Sequence, residues 1–254
     1  MQPSKEFSDL VRLVAILRKE CPWDRKQTHE SIKDNLIEEA YEALEAIDDQ
    51  DFDEFRKELG DLLLHVLFHS EMASEKDEFE IGDVIYTLME KLIRRHPHVF
   101  GDTEVEGEGE VAQNWETIKL KEGKRSTLDG LPHHLPALIR AQRMQEKAAN
   151  VGFDWPEWEL AWEKLDEELE EFKDTLKDND PVKLSDEFGD VLFSLVNVSR
   201  YFDLNAEDSL RQTNKKFEQR FRYIEKKLKE QGKTVNESTL EEMDAFWEEA
   251  KTKA

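Results

Sequence analysis

Apolar residues recur along this chain at close to the 3.6-residue helical period. Phe7, Leu10, Val11, Val14 and Leu17 fall on one helical face, and Ile32, Leu36, Ala40, Leu44 and Ile47 on a second. Phe55, Leu59, Leu62, Leu63 and Val66 make a third stripe; Ile81, Val84, Ile85, Leu88 and Leu92 make a fourth. The pattern lapses between Gly101 and Pro132, where five glycines stand among charged residues, and this stretch reads as a linker. Periodicity resumes near Leu135 and runs through Leu165, Leu169 and Phe172. It continues at Phe188, Val191, Leu192 and Leu195, then at Leu210, Phe217, Phe221, Ile224 and Leu228. No stretch alternates convincingly with period two. The prediction is an all-α fold of two tandem helical-bundle modules, residues 1–100 and 133–254, joined by a linker at 101–132.

The two modules are copies. A shift of 129 residues carries Glu38-Glu39-Ala40-Tyr41-Glu42 onto Glu167-Glu168-Leu169-Glu170-Glu171, and Glu58-Leu59-Gly60-Asp61 onto Glu187-Phe188-Gly189-Asp190. Apolar positions follow, with Leu36 on Leu165 and Leu62 on Val191. After a one-residue slip, Pro22-Trp23-Asp24 meets Gly152-Phe153-Asp154.

The repeated acids carry chemistry if their helices pair. Residues three and four apart share a helical face, so Glu168 and Glu171 project together with Glu167 at the edge, and Glu187 and Asp190 do the same on the next helix. Antiparallel packing through the apolar stripes brings four carboxylates together, which repel one another unless a cation sits between them. Oxygen-only ligands suit Mg²⁺ or Mn²⁺ and not zinc, and Mg²⁺ shares its shell readily with phosphate oxygens.

Composition narrows the partners. With 36 Lys+Arg against 60 Asp+Glu in 254 residues, the net charge is −24, which argues against binding to nucleic acid or an anionic membrane. A phosphate-bearing small ligand stays open, provided a cation mediates. Cys21 is the single cysteine, so an intrachain disulfide and a Cys-based zinc site are both excluded. Charges interrupt the first twenty residues, and the apolar stretch Leu62 to Ser70 is too short to span a bilayer. A soluble, cytoplasmic protein is expected. His65 and His69, at i,i+4, have zinc-pair spacing but no evident third soft ligand, and His96-Pro97-His98 reads as a turn.

Glu-Glu-x-x-Glu, fifteen residues, then Glu-x-x-Asp resembles the MazG-type nucleoside triphosphate pyrophosphohydrolases of the all-α NTP-pyrophosphatase superfamily. Further segments are similar to the tandem-domain members: Cys21-Pro22-Trp23-Asp24, the run from Arg94 to Asp102, the run from Leu135 to Gln142, and Val151-Gly152-Phe153-Asp154-Trp155. The resemblance covers Phe7 to Trp247. It implies Mg²⁺-dependent hydrolysis of an NTP or dNTP to the monophosphate and pyrophosphate by a homodimer, in the service of nucleotide-pool housekeeping. It also implies that Glu168, Glu171, Glu187 and Asp190 hold the metal and that Lys164 and Lys183 contact the triphosphate. Lys216, Phe217, Arg220 and Trp247 would complete the nucleotide pocket, while Glu167 or Glu168 would orient or deprotonate the attacking water.

The copies are not equivalent. The 129-residue shift sets Glu54 opposite Lys183, and a shorter shift of 125 sets Leu92 opposite Phe217, with Pro97 ending the first copy's helix early. The main active site is therefore expected in the second module, with Glu39, Glu42, Glu58 and Asp61 as a possible second metal site. The alternatives are a superfamily relative directed at dUTP, dCTP or phosphoribosyl-ATP, and a noncatalytic acidic helical adaptor for a basic protein.

Overall fold

The computed structural model describes residues 1–105, 107, 109–111, 114, 118, 126–177 and 180–253, and no strand occurs among them. The chain divides into two compact units, Met1–Gly107 and Glu108–Ala254. Part of the linker expected at 101–132 lies outside the described residues.

In the first unit, α1 (Phe7–Glu20), α2 (Lys33–Asp48), α3 (Phe52–Ser74) and α4 (Ile81–Arg95) follow one another, and a short α5 (Pro97–Phe100) completes it. Pro97 cannot donate a helical hydrogen bond, so the helix breaks at His96 and restarts with proline in its first turn. The core is Val14, Ile32, Leu67, Phe68 and Met72, with Leu10, Val11, Leu64 and Ile81 packed against it. Each large side chain fully buried there contributes about 1.5–3 kcal/mol. Buried Arg18 ties the layers together. Its guanidinium forms a two-bond fork with Glu75, at 2.8 and 2.6 Å, and donates to the carbonyls of Asp24 and Gln27.

The second unit contains α6 (Ala137–Ala149), α7 (Trp158–Thr175), α8 (Pro181–Arg200), α9 (Ala206–Glu230) and α10 (Leu240–Lys251). Helices α7 and α8 pack along each other as α2 and α3 do, α6 lies on α8, and α10 lies on α9. Ala161, Leu165 and Val198 form its core, flanked by Leu169, Val191 and Tyr201.

The 129-residue repeat extends to the helix caps. Asp51 and Asp180, related by that shift, are N-caps of α3 and α8. The Asp51 side chain accepts from the backbone N–H of Asp53 and Glu54, and Asp180 accepts from Val182 and Lys183. The far ends of these helices also match. Asp77 and Asp203 adopt left-handed φ values of 56° and 53°, and the next residue's N–H reaches back to Ala73 and Ser199 respectively.

One stripe lies differently from its expectation. The buried residues of α2 are Ala43 and Ala46, while Leu44 and Ile47 remain 42% and 52% exposed. The small alanines permit close approach to α3 and turn the bulkier residues outward. Leu59, Leu63 and Val66 of α3 are also exposed, and α4 buries none of its residues within the chain.

Candidate metal centre and nucleotide cavity

The pairing of α7 with α8 assembles a carboxylate cluster. Glu168, Glu171 and Glu187 each place an oxygen within 4.8 Å of the others. Glu168 is buried, whereas Glu171 is exposed. Partial desolvation, with Glu168 and Glu187 adding repulsion, pushes the Glu171 carboxyl above the ordinary range. Asp190, the fourth expected ligand, stands outside that tight group and lines the adjacent cavity together with Glu168.

Lys164 is the counterion. Its Nζ lies 2.8 Å from Glu168 and 2.9 Å from Glu167, and those two hydrogen bonds hold the ammonium well above the usual lysine range. Lys183 sits at the start of α8; the Asp174 carboxyl is lowered mainly by its hydrogen bond to Lys177, with the Lys183 charge adding to it. Glu167 is exposed, with the Lys164 ion pair at its carboxylate.

The cavity beside the cluster has a volume of about 500 Å³. Lys164, Glu168 and Asp190 are among its polar lining residues, and Phe153, Trp155 and Phe193 supply apolar wall. Phe153 and Trp155 come from the loop ahead of α7, and Asp154 between them anchors it. The Asp154 carboxylate takes Arg200 at 2.6 Å and the Tyr201 hydroxyl at 2.9 Å, and that hydroxyl also donates to the Trp155 carbonyl. The sequence marks this loop in two ways, by the match of Gly152-Phe153-Asp154 to Pro22-Trp23-Asp24 and by the similarity of Val151–Trp155 to the tandem-domain family members, without assigning it a role.

The expected nucleotide residues on α9 and α10 gather elsewhere. Phe217 meets Trp247 with ring centroids 5.2 Å apart, and the Arg220 guanidinium lies 5.4 Å over the Trp247 ring. Lys216, one residue before Phe217, is exposed. None of these four residues lines the cavity of their own chain.

The first unit repeats the carboxylate cluster but has no equivalent of Lys164. Glu39, Glu58 and Asp61 each bring an oxygen within 4.8 Å of the others. Glu42 lies outside that group but repels Glu58. Buried Glu58 is pushed up to about 7, first by desolvation, then by Glu42 and Glu39. Its Oε2 is buried with no hydrogen-bond partner among the described residues. The residue 129 positions before Lys164 is Asn35, which cannot supply a counterion. Both clusters are all-oxygen donor sets, the chemistry that hard divalent cations select.

The two units thus share one design, a pair of packed helices that brings three carboxylates together. The MazG nucleotide pyrophosphohydrolase domain matches twice, at residues 27–100 and 158–224. The chain is 47% identical over 250 residues to a Thermotoga maritima protein named nucleoside triphosphate pyrophosphohydrolase/pyrophosphatase MazG, covering 96% of this chain and 95% of that one. It is 42% identical over 239 residues to the nucleoside triphosphate pyrophosphohydrolase of Escherichia coli, covering 91% and 90%. A Bacillus subtilis protein, YabN, of uncharacterized function, is 47% identical over 97% of this chain but 52% of its own length. This chain belongs to the MazG nucleotide pyrophosphohydrolase family, and it is an enzyme of that class.

Proposed function

We propose that the second unit hydrolyses nucleoside triphosphates, ribo- or deoxyribo-, to the monophosphate and pyrophosphate with Mg²⁺, Mn²⁺ being a substitute. The observation that carries this reading is the Glu168–Glu171–Glu187 cluster, whose Glu168 also lines a cavity together with Lys164 and Asp190. Glu168, Glu171, Glu187 and Asp190 hold the metal. An Mg²⁺ ion held by them would supply acidity to the attacking water and charge to offset that on the departing pyrophosphate.

The chain's own groups do the rest. Water oxygen bonds to the α-phosphorus as the bond from that phosphorus to the bridging oxygen breaks, and the pyrophosphate keeps the electron pair. Glu167 or Glu168 orients the water and takes its proton. Lys164 already bridges both carboxylates and exchanges that pairing for triphosphate oxygens, and Lys183, at the start of α8 near Asp174, is the second cation for the triphosphate. In a −24 chain these local cations offset repulsion of the substrate. Phe153 and Trp155 offer flat apolar surface for a base at the cavity.

Apolar residues left exposed on α2, α3 and α4 support a homodimer. A cytoplasmic setting follows from the substrate, and nucleotide-pool housekeeping is the role that fits such a hydrolase. No described helix is long and apolar enough to cross a membrane.

Product analysis tests the reading. With Mg²⁺ and a panel of NTPs and dNTPs, monophosphate and equimolar pyrophosphate are expected; diphosphate with orthophosphate would overturn the scissile bond assigned. Glu168→Gln is expected to lower kcat/KM about a thousandfold or more, roughly 4 kcal/mol of transition-state stabilisation. Glu39→Gln is expected to change it by less than about threefold. The reverse ranking, in folded proteins, would move the active site to the first unit.

A further inference from the structure

The cavity lined by Lys164 and Glu168 also carries two buried carboxamides, Gln145 on α6 and Asn197 on α8, and the proposed reaction gives neither a role. A carboxamide has a donor on one side and an acceptor on the other, and its neighbours decide which way it faces. Both of these are fixed by partners that can play one part only. Nε2 of Gln145 donates to the Phe193 carbonyl at 2.8 Å, and a carbonyl cannot donate, so Oε1 is the atom left over. Oδ1 of Asn197 accepts from the Arg200 guanidinium at 2.7 Å, and a guanidinium cannot accept, so Nδ2 is the atom left over. Arg200 is held in turn. Its other terminal nitrogen donates to Asp154 at 2.6 Å, so one guanidinium ties the Asn197 amide to the loop that carries Phe153 and Trp155.

Oε1 of Gln145 is the telling atom. Gln145 is only 6% exposed, and its Oε1 is buried with no hydrogen-bond partner among the described residues. Buried polar atoms are nearly always satisfied, and exceptions mark places where something else completes them. Because Oε1 can only accept, what completes it must bring a hydrogen. The cost of taking this oxygen out of water is already borne by the free chain, so a donor arriving there gains the whole hydrogen bond. The broad terminal torsion of glutamine lets Oε1 turn to that donor while Nε2 keeps the Phe193 carbonyl.

We infer that Gln145 and Asn197 read the pairing edge of the nucleobase, Gln145 accepting from an N–H and Asn197 donating to the acceptor next to it. This rests on the reading of the cavity as a nucleoside triphosphate site with Phe153 and Trp155 as the surface for the base. Every canonical base sets an N–H beside an acceptor on that edge. Adenine and cytosine use an amino group and a ring nitrogen; guanine, uracil and thymine use a ring N–H and a carbonyl. The pair therefore separates bases that carry an N–H there from bases that do not, rather than one canonical base from another. A base without that N–H leaves Oε1 unmet, and a site built to hydrogen-bond a group rejects the analogue that lacks it.

Purine riboside triphosphate, which is ATP without its amino group, tests this on the full chain with Mg²⁺. It is smaller than ATP, so poor use of it cannot come from a clash. In wild type the kcat/KM for ATP is expected to exceed that for the analogue about tenfold or more. Gln145→Met keeps the length of the side chain without the acceptor, and is expected to bring the two within about threefold. The ratio compares two substrates on one protein, so any loss of folded protein cancels from it. Asn197→Asp keeps an acceptor for Arg200 but removes the donor, and is expected to lower kcat/KM for ATP about tenfold, through KM. Calorimetric titration with the α,β-methylene forms of both nucleotides, carbon-bridged at the bond to be broken, is expected to show the same preference in binding. A preference in binding that Gln145→Met abolishes, without hydrolysis of any triphosphate, would sink the reaction assigned to the cavity and leave base reading standing. Base reading alone is overturned if wild type hydrolyses ATP and the analogue equally well, or if Gln145→Met keeps the full preference. Failure of wild type to bind either methylene form also overturns it.

Discussion

Glu58 and Glu187 are equivalents under the 129-residue shift, yet their surroundings differ in one side chain that matters. Lys164 stands by the second cluster, and Asn35 occupies its place in the first. Glu58 is buried with Glu42 and Glu39 repelling it, and its carboxyl rises to about 7, through desolvation first and then those acids. The sign of the consequence follows from linkage. Between the unfolded value, near 4.5, and about 7, the folded chain binds more protons at this site than the unfolded chain does. Glu58 thus favours folding of the first unit at pH 5, and that advantage is lost as pH rises through about 7. His69, with its lowered pKa, works in the opposite direction at acid pH, so the useful quantity is the difference between wild type and Glu58→Gln. In EDTA the variant is expected to gain stability over wild type at pH 8 and to lose that gain by pH 5, by denaturant unfolding. Adding Mg²⁺ at pH 8 is expected to stabilise wild type more than the variant, because the cation serves the charge that glutamine lacks.

At the scale of helices, the paired unit is written into both copies down to its caps. Asp51 and Asp180 each satisfy two backbone N–H groups at the start of the second helix of a pair. Asp51→Ala and Asp180→Ala are each expected to cost about 0.5–2 kcal/mol, seen as a lowered urea midpoint for the unit carrying the change. Equal costs would mark the caps as one inherited device; a null effect at both would show that packing of α3 and α8 suffices. Helix existence was legible in the sequence because a 3.6-residue period survives any orientation of the helix. Which side of a helix faces inward was less legible: on α2 the apolar stripe includes Leu44 and Ile47, but close packing selects Ala43 and Ala46. The carboxylate pairs were legible through i,i+3 spacing and duplication. The Asp154 anchor was not, since it depends on contacts between segments that no local period records.

For the whole molecule, the separation within the second unit sets the sharpest question. The carboxylates and Lys164 frame one cavity, while Phe217, Arg220 and Trp247 cluster away from its lining in the same chain. Residues on both patches suit a nucleotide triphosphate, one through a cation and lysine, the other through guanidinium and aromatic surface. The proposed homodimer reconciles them if each chain lends its α9–α10 patch to its partner's cavity. Mixing then becomes decisive. Glu168→Gln and Arg220→Ala chains, each inactive as a homodimer, are co-refolded in equal amounts. Random pairing makes about half the dimers mixed. In a mixed dimer with shared sites, one site collects both defects and the other collects neither, so activity is expected to return to about a quarter of wild type. Sites built within single chains leave every site in the mixture with one defect, and activity then stays at the level of the separate variants. Recovery that grows with exchange time, and is absent when the variants are assayed before exchange, would tie the effect to pairing of the chains.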